Sequence, residues 1–154
     1  MNFLTKLKQR NRLLYWFGWL NFFCAGICIL LIQLDDTVVL GINAWIKPLK
    51  FFLSTIFFVT AMAWYMYHLT RQKAVLIYSW VIILVLTFEN IVIVWQAANG
   101  RLSHFNISTP LYGLLFSLMG VAITIMTLWT LYIGILFFLQ QNFNLPFQYV
   151  WAIR

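Results

Sequence analysis

Of the 154 residues, 64% are hydrophobic and only 8% are charged, and the formal net charge is +7. Soluble domains run about 45–50% apolar and about 25% charged, so a water-soluble fold of this length would leave too much apolar surface exposed. The basic residues fall in short clusters between apolar runs, as topology determinants do, which points to membrane lipids as partners and away from nucleic acid.

Residues 1–12 carry Lys6, Lys8, Arg10 and Arg12 ahead of an apolar run of about 22 residues, 13–34, long enough to span a bilayer. Gln33, Leu34, Asp35 and Asp36 follow in place of a small-residue cleavage site, so the run reads as an uncleaved first span. Asn21 is its one strongly polar interior residue and is expected to face another helix. Cys24 and Cys28 share a helical face and read as packing residues, because the helix holds their side chains apart.

Residues 35–46 form a connection, with Gly41 and Asn43 suited to a turn and Trp45 placed as an interfacial anchor. The second span covers about 47–69 and opens with Pro48 in its first turn. Lys47, Lys50, Ser54 and Ala61 share one face of it. Trp64, Tyr65, Tyr67 and His68 close it as an aromatic belt, and a short link carries Arg71 and Lys73.

The third span covers about 74–98. Glu89, Ile93, Gln96 and Gly100 lie on one of its faces, and Asn99-Gly100 is expected to stop the helix, glycine being the usual left-handed cap. Glu89 is the only acid in any long apolar run. A carboxylate at membrane depth costs roughly 2.5–3.5 kcal/mol on insertion scales, so a partner is expected for it. Lys50 is the candidate, at a depth that two long side chains can bridge, and Lys47 is expected to snorkel to head groups.

A polar loop, RLSHFNIS, leads to the fourth span, about 109–138, with Thr109 as N-cap and Pro110 at the first helical position. Gly113, Ser117, Gly120, Thr124 and Thr127 form a small-residue stripe, expected to be a close helix-packing seam. Residues 139–154 turn polar at Gln140, Gln141, Asn142 and Asn144; they read as an interfacial tail or as the start of a further helix beginning near Pro146.

The fold expected is therefore all-α, a single domain (1–154) forming an integral membrane bundle of four transmembrane helices. Both termini are placed in the cytoplasm, because Lys6, Lys8, Arg10, Arg12, Arg71, Lys73 and Arg154 then share that side.

The segments WIKPLKF and SHFNISTP resemble an uncharacterised group of bacterial multi-helix integral membrane proteins. The residues that carry the resemblance are Trp45, Lys47, Pro48, Lys50 and Phe51, then Gln96, Gly100, Ser103, His104, Phe105 and Asn106. It implies a multi-pass protein of a bacterial inner membrane, in a group whose chains continue into further apolar spans. No activity comes with it.

Three functions compete. The first is a binding or transport-type protein with an outward-facing polar pocket of Lys47, Lys50, Ser54, Glu89, Gln96, Arg101, His104 and Asn106. The second is a structural or accessory subunit, packing as a homo-oligomer or on a partner through the small-residue stripe. The third is a membrane enzyme or cofactor protein using His104. His104 and His68 fall at opposite membrane faces, which argues against a two-histidine haem clamp. The sequence names no cofactor, and CxxxC without histidines is a poor metal signature. Asn106-Ile107-Ser108 matches a glycosylation sequon but sits on a tight loop beside the membrane.

Overall fold

The computed structural model describes residues 2–141, 143 and 145–153; Asn142, Asn144 and Arg154, which entered the reading of the tail and of the charge balance, lie outside the described residues. Four helices are long and apolar enough to cross a membrane. They are α2 (Arg12–Leu34), α3 (Ile46–Tyr65, continued by a 3-10 turn at Met66–His68), α4 (Gln72–Ala98) and α5 (Pro110–Leu139). The expected all-α bundle of four spans is what forms, with boundaries within a few residues of those read from the sequence.

Two short helices flank it. At the start, α1 (Phe3–Arg10) is separated from α2 by Asn11, whose backbone N–H donates to Leu7 O and whose side chain accepts from Leu14 N. Asn11 thus ends one helix and caps the next, a signal passed over in reading the basic N-terminus as a simple flank. Arg10 stacks on Trp64 at 3.8 Å and donates to Trp64 O, so α1 is pinned beside the end of α3. Near the other terminus, α6 (Phe147–Ile153) begins just after Pro146.

The α2–α3 connection is a small hairpin, β1 (Val38–Val39) paired antiparallel with β2 (Ile42–Asn43). Leu40 and Gly41 both have positive φ, 53° and 80°, as a two-residue hairpin turn of this hand requires. Trp45 is not an interfacial anchor as expected. It is buried, and its indole N–H donates to Asp35 Oδ2 at 2.7 Å. The same Asp35 accepts from Thr37 N and Thr37 Oγ1, so one carboxylate ties the end of α2 to the start of α3. These bonds hold its carboxyl below the usual carboxylate range.

Helices α2 and α3 are the most closely packed pair, α3 also packs on α4, and α5 rests chiefly on α4. Between α2 and α4 a lateral groove of about 550 Å³ remains, bordered by Phe17, Leu20, Ile91 and Trp95. Asn90 reaches to its wall and donates to Asn21 Oδ1 at 3.1 Å, so Asn21 does meet another helix. At the end holding the termini, Tyr78 is fully buried among Val59, Ala63, Ile82 and Ile133 and bonds Thr130 of α5 through its hydroxyl.

The small-residue stripe of α5 is not a seam within this chain. Ser117, Gly120, Thr124 and Thr127 are exposed, and a Cβ added at Gly113 or Gly120 would meet nothing within 4 Å. The hydroxyls turn back onto their own helix, as Ser117 does to Gly113 O and Thr124 to Gly120 O. The face of α5 that packs is instead the one bearing Tyr112, Met119, Ile133 and Phe137. Periodicity defined the stripe correctly, but a helix with one close neighbour buries only one of its faces.

A candidate anion-binding cavity at the loop end

The site is built by three chain segments meeting at the end where α3 begins and α4 stops. The end of α4 is fixed first. Gly100 takes φ +62°, its N–H donates to Ala97 O at 2.9 Å, and Arg101 N donates to Gln96 O at 2.9 Å. This pairing is the Schellman closure of a helix, and it needs a left-handed residue at Gly100. A Cβ there would also lie 3.3 Å from Thr37 Cγ2, just before the hairpin. The closure turns the chain back so that Arg101, Leu102 and Ser103 face α3.

The start of α3 supplies the opposite wall. Its packed face is Pro48, Phe52, Thr55, Val59 and Ala63. Lys47, Lys50 and Ser54 therefore turn away from that face; Lys47 is half-buried, and Lys50 and Ser54 are exposed. The hairpin closes the third side with Val39, Leu40, Ile42 and Asn43. Together these segments enclose a cavity of about 310 Å³, with Phe51, Ile93 and Ala97 as its inner lining. Three cationic side chains, Lys47, Lys50 and Arg101, line it and, among the described residues, no carboxylate does. Arg101 donates to the hydroxyl of Tyr112 on α5, whose ring it also overlies at 5.0 Å.

Of the eight candidate residues read from the sequence, three are brought to this cavity: Lys47, Lys50 and Arg101. The expected Lys50–Glu89 bridge does not form. Lys50 is exposed on the outer face of α3, whereas Glu89 is 2% exposed on the inner face of α4 and its Oε1 is buried with no hydrogen-bond partner. The two side chains thus leave their helices on faces of opposite burial. Gln96, 2% exposed, likewise has a buried and unpartnered Oε1. Ser54 lies outside the cavity lining.

His104 and Asn106 organise the loop beside the cavity. The His104 ring lies 5.7 Å from Phe51 and 6.3 Å from Phe116, and Nδ1 is 3.1 Å from Ser103 Oγ. Asn106 donates to Leu102 O and accepts from both Ser108 N and Ser108 Oγ, so its amide is committed to the turn. Ser103, Asn43 and Tyr112 were not among the candidate site residues: Asn43 was read as a turn residue and Ser103 only as part of the resemblance. Ser103 was adjacent to a candidate, while Tyr112 gave no signal beyond being an aromatic near a helix start.

Burial first, and then the nearby charge of Lys47, lowers the pKa of His104 from its ordinary value. A depressed histidine favours the neutral ring in the folded state. Its contribution to stability is complete above the ordinary histidine value, about 6.5, and is lost as pH falls through the lower folded value. Thermal unfolding of the wild type should therefore move to lower temperature on acidification through this range, and His104→Gln should flatten that part of the profile.

Comparison with protein-family models, with curated proteins and with solved structures finds no match to this chain.

Proposed function

We propose that this chain is a multi-pass membrane protein whose loop-end cavity binds an anionic amphiphile, a molecule with a phosphate or carboxylate head and an apolar body. The observation that carries this reading is the lining itself. Lys47, Lys50 and Arg101 supply positive charge that no acid in the lining offsets, while Val39, Leu40, Ile42, Ile46 and Phe51 make most of the rest apolar, with Asn43 and Ser103 as its neutral polar members. A free inorganic anion would leave that apolar wall unused, and a neutral lipid tail would leave three cations without a counter-charge. Arginine suits such a head group because its planar fork engages two oxygens at once.

The cavity faces outward and both termini are cytoplasmic, because that arrangement places the larger basic cluster inside. The membrane is a bacterial inner membrane, on the resemblance of the WIKPLKF and SHFNISTP segments. Reporter fusions placed after Lys73 and after Ser103 should give opposite locations, cytoplasmic and external respectively. The same location for both contradicts this topology.

Binding is tested by titrating the purified protein, in neutral detergent, with a medium-chain alkyl phosphate, inorganic phosphate and the corresponding alkyl alcohol. The alkyl phosphate should bind saturably and more weakly as salt rises, because part of the attraction is screened. Inorganic phosphate should bind weakly and the alcohol not at all. Equal binding of alcohol and alkyl phosphate would contradict the reading. Lipid extracted from protein purified without added ligand distinguishes a membrane lipid, which co-purifies, from a soluble organic anion, which does not.

A second reading, an accessory subunit docked through α5, is favoured by the exposed stripe from Ser117 to Thr127 on a helix that rests chiefly on α4.

A further inference from the structure

The anion cavity leaves the most unusual group of the bundle unused. Glu89 is 2% exposed, and its Oε1 has no hydrogen-bond partner. Gln96 Oε1, seven residues further on, is in the same condition. Seven residues make nearly two turns, so the two side chains leave α4 in almost the same direction, about 10 Å apart along the helix. Between them Val92 and Ile93 pack with Met119, and with Phe51 of α3 and Leu115 of α5. Two acceptor oxygens thus bracket an apolar cluster, and Ile93 of that cluster also lines the loop-end cavity.

The charged and titratable groups on the surrounding elements are engaged elsewhere or face elsewhere. From α3, Lys47 and Lys50 line the cavity. From the loop, Arg101 is bonded to Tyr112 of α5, and His104 lies next to Ser103. From α2, Cys24 and Cys28 belong to the packing around Phe52 and Ala97. None of them makes a hydrogen bond to Glu89 Oε1.

We propose that Glu89 is a proton-binding site inside the membrane-spanning bundle, reached from the loop-end cavity along the Ile93–Gln96 face of α4. A buried carboxylate without a cation beside it is unfavourable, so the site takes a cationic ligand. A metal ion needs several oxygen ligands around one point, whereas the two free oxygens here are two turns apart. A proton needs only one oxygen and no coordination shell. A hydronium entering from the cavity transfers its proton to the Glu89 carboxylate, leaving water and a neutral acid; release either reverses this step, a water taking the proton and leaving as hydronium, or passes the proton to hydroxide, which leaves as water. Gln96, between Glu89 and the cavity mouth, offers an amide oxygen that accepts a hydrogen bond from the carrier water. The proposal does not depend on the anion reading.

The test is infrared difference spectroscopy of the full chain in lipid nanodiscs, comparing wild type with Glu89→Gln across pH, with the melting temperature of both recorded. At neutral pH the wild type should show the carbonyl stretch of a protonated carboxylic acid, shifted in heavy water, and this band should fade at alkaline pH. Glu89→Gln should lack the band and melt with the wild type, since a neutral amide replaces a neutral acid of the same shape. A band that Glu89→Gln leaves in place, no protonated-acid band at neutral pH, or a band unchanged at alkaline pH overturns the proposal. If Glu89→Gln fails to fold, because its buried NH2 group lacks acceptors, 13C-glutamate labelling of the wild type assigns the band instead, Glu89 being the one glutamate of the sequence, and a band that the label does not shift overturns the proposal.

Discussion

Lys47→Met combined with Lys50→Met should weaken alkyl phosphate binding by about a hundredfold. Lys47 is half-buried at the cavity wall, and Lys50 stands more exposed one turn further along the same face of α3. A hydrogen bond to a charged group contributes about 1.5–3 kcal/mol, and the exposed lysine falls at or below the low end of that range. A combined loss of about 3 kcal/mol corresponds to about a hundredfold in Kd. Both substitutions keep the length of an apolar stem, and neither touches the Arg101–Tyr112 contact that ties the loop to α5. The melting temperature should therefore stay close to that of the wild type, which separates lost binding from lost folding. Lys50→Met alone should produce only a few-fold loss, because exposed charges are well screened.

The second large effect concerns the hold of α5 on the bundle. Tyr78 is 0% exposed, its ring stacks with Trp129 at 6.4 Å, and its hydroxyl bonds Thr130. Because α5 rests chiefly on α4, this cluster is a main attachment of the fourth span. Tyr78→Ala should destabilise by about 3–5 kcal/mol, the usual range for removing a fully buried aromatic ring and leaving a cavity. Tyr78→Phe removes only the interhelical hydrogen bond, which in membrane bundles averages about 0.6 kcal/mol and reaches about 1.7. Denaturant titration in mixed micelles should rank wild type, Tyr78→Phe and Tyr78→Ala in that order, with most of the loss in the second step. A Tyr78→Ala variant as stable as Tyr78→Phe would mean that α5 is held elsewhere.

Much of the fold was legible because lipid imposes one dominant rule. Each long apolar run became a helix, and local chemistry marked the ends: Thr109 accepts from Tyr112 N at the start of α5, and Gly100 closes α4 with positive φ. The break at Asn11 was missed because a basic stretch followed by an apolar run looks continuous by composition. Asn11 divides it through a backbone N–H to Leu7 O and a side chain that accepts from Leu14 N, bonds that composition does not register. The site was legible in smaller part, three of the eight candidate residues lying at the cavity. Lys47, Lys50 and Arg101 were found because charged residues are rare in such a chain. The link from Lys50 to Glu89 failed because helix depth can be counted along a sequence, whereas rotation about the axis is set by which face packs. In α3 that face carries Pro48, Phe52 and Thr55, and Lys50 lies away from it. The α5 stripe is left exposed within this chain for a related reason: one helix's periodicity does not say where its neighbours stand.

The central claim is the location of the anion, and photolabelling tests it most directly. An alkyl phosphate carrying a photoactivatable group beside its head is bound to the wild-type protein, illuminated, and the labelled peptides are mapped by mass spectrometry. The labels should fall on the hairpin and the start of α3, from Val39 to Phe51, and on Leu102 and Ser103, and they should be displaced by excess unlabelled alkyl phosphate. Labels spread over the exposed apolar side chains of α5, such as Leu114, Leu118 and Leu128, with no displaceable excess at the cavity, would show the amphiphile acting only as bulk lipid and would contradict the account.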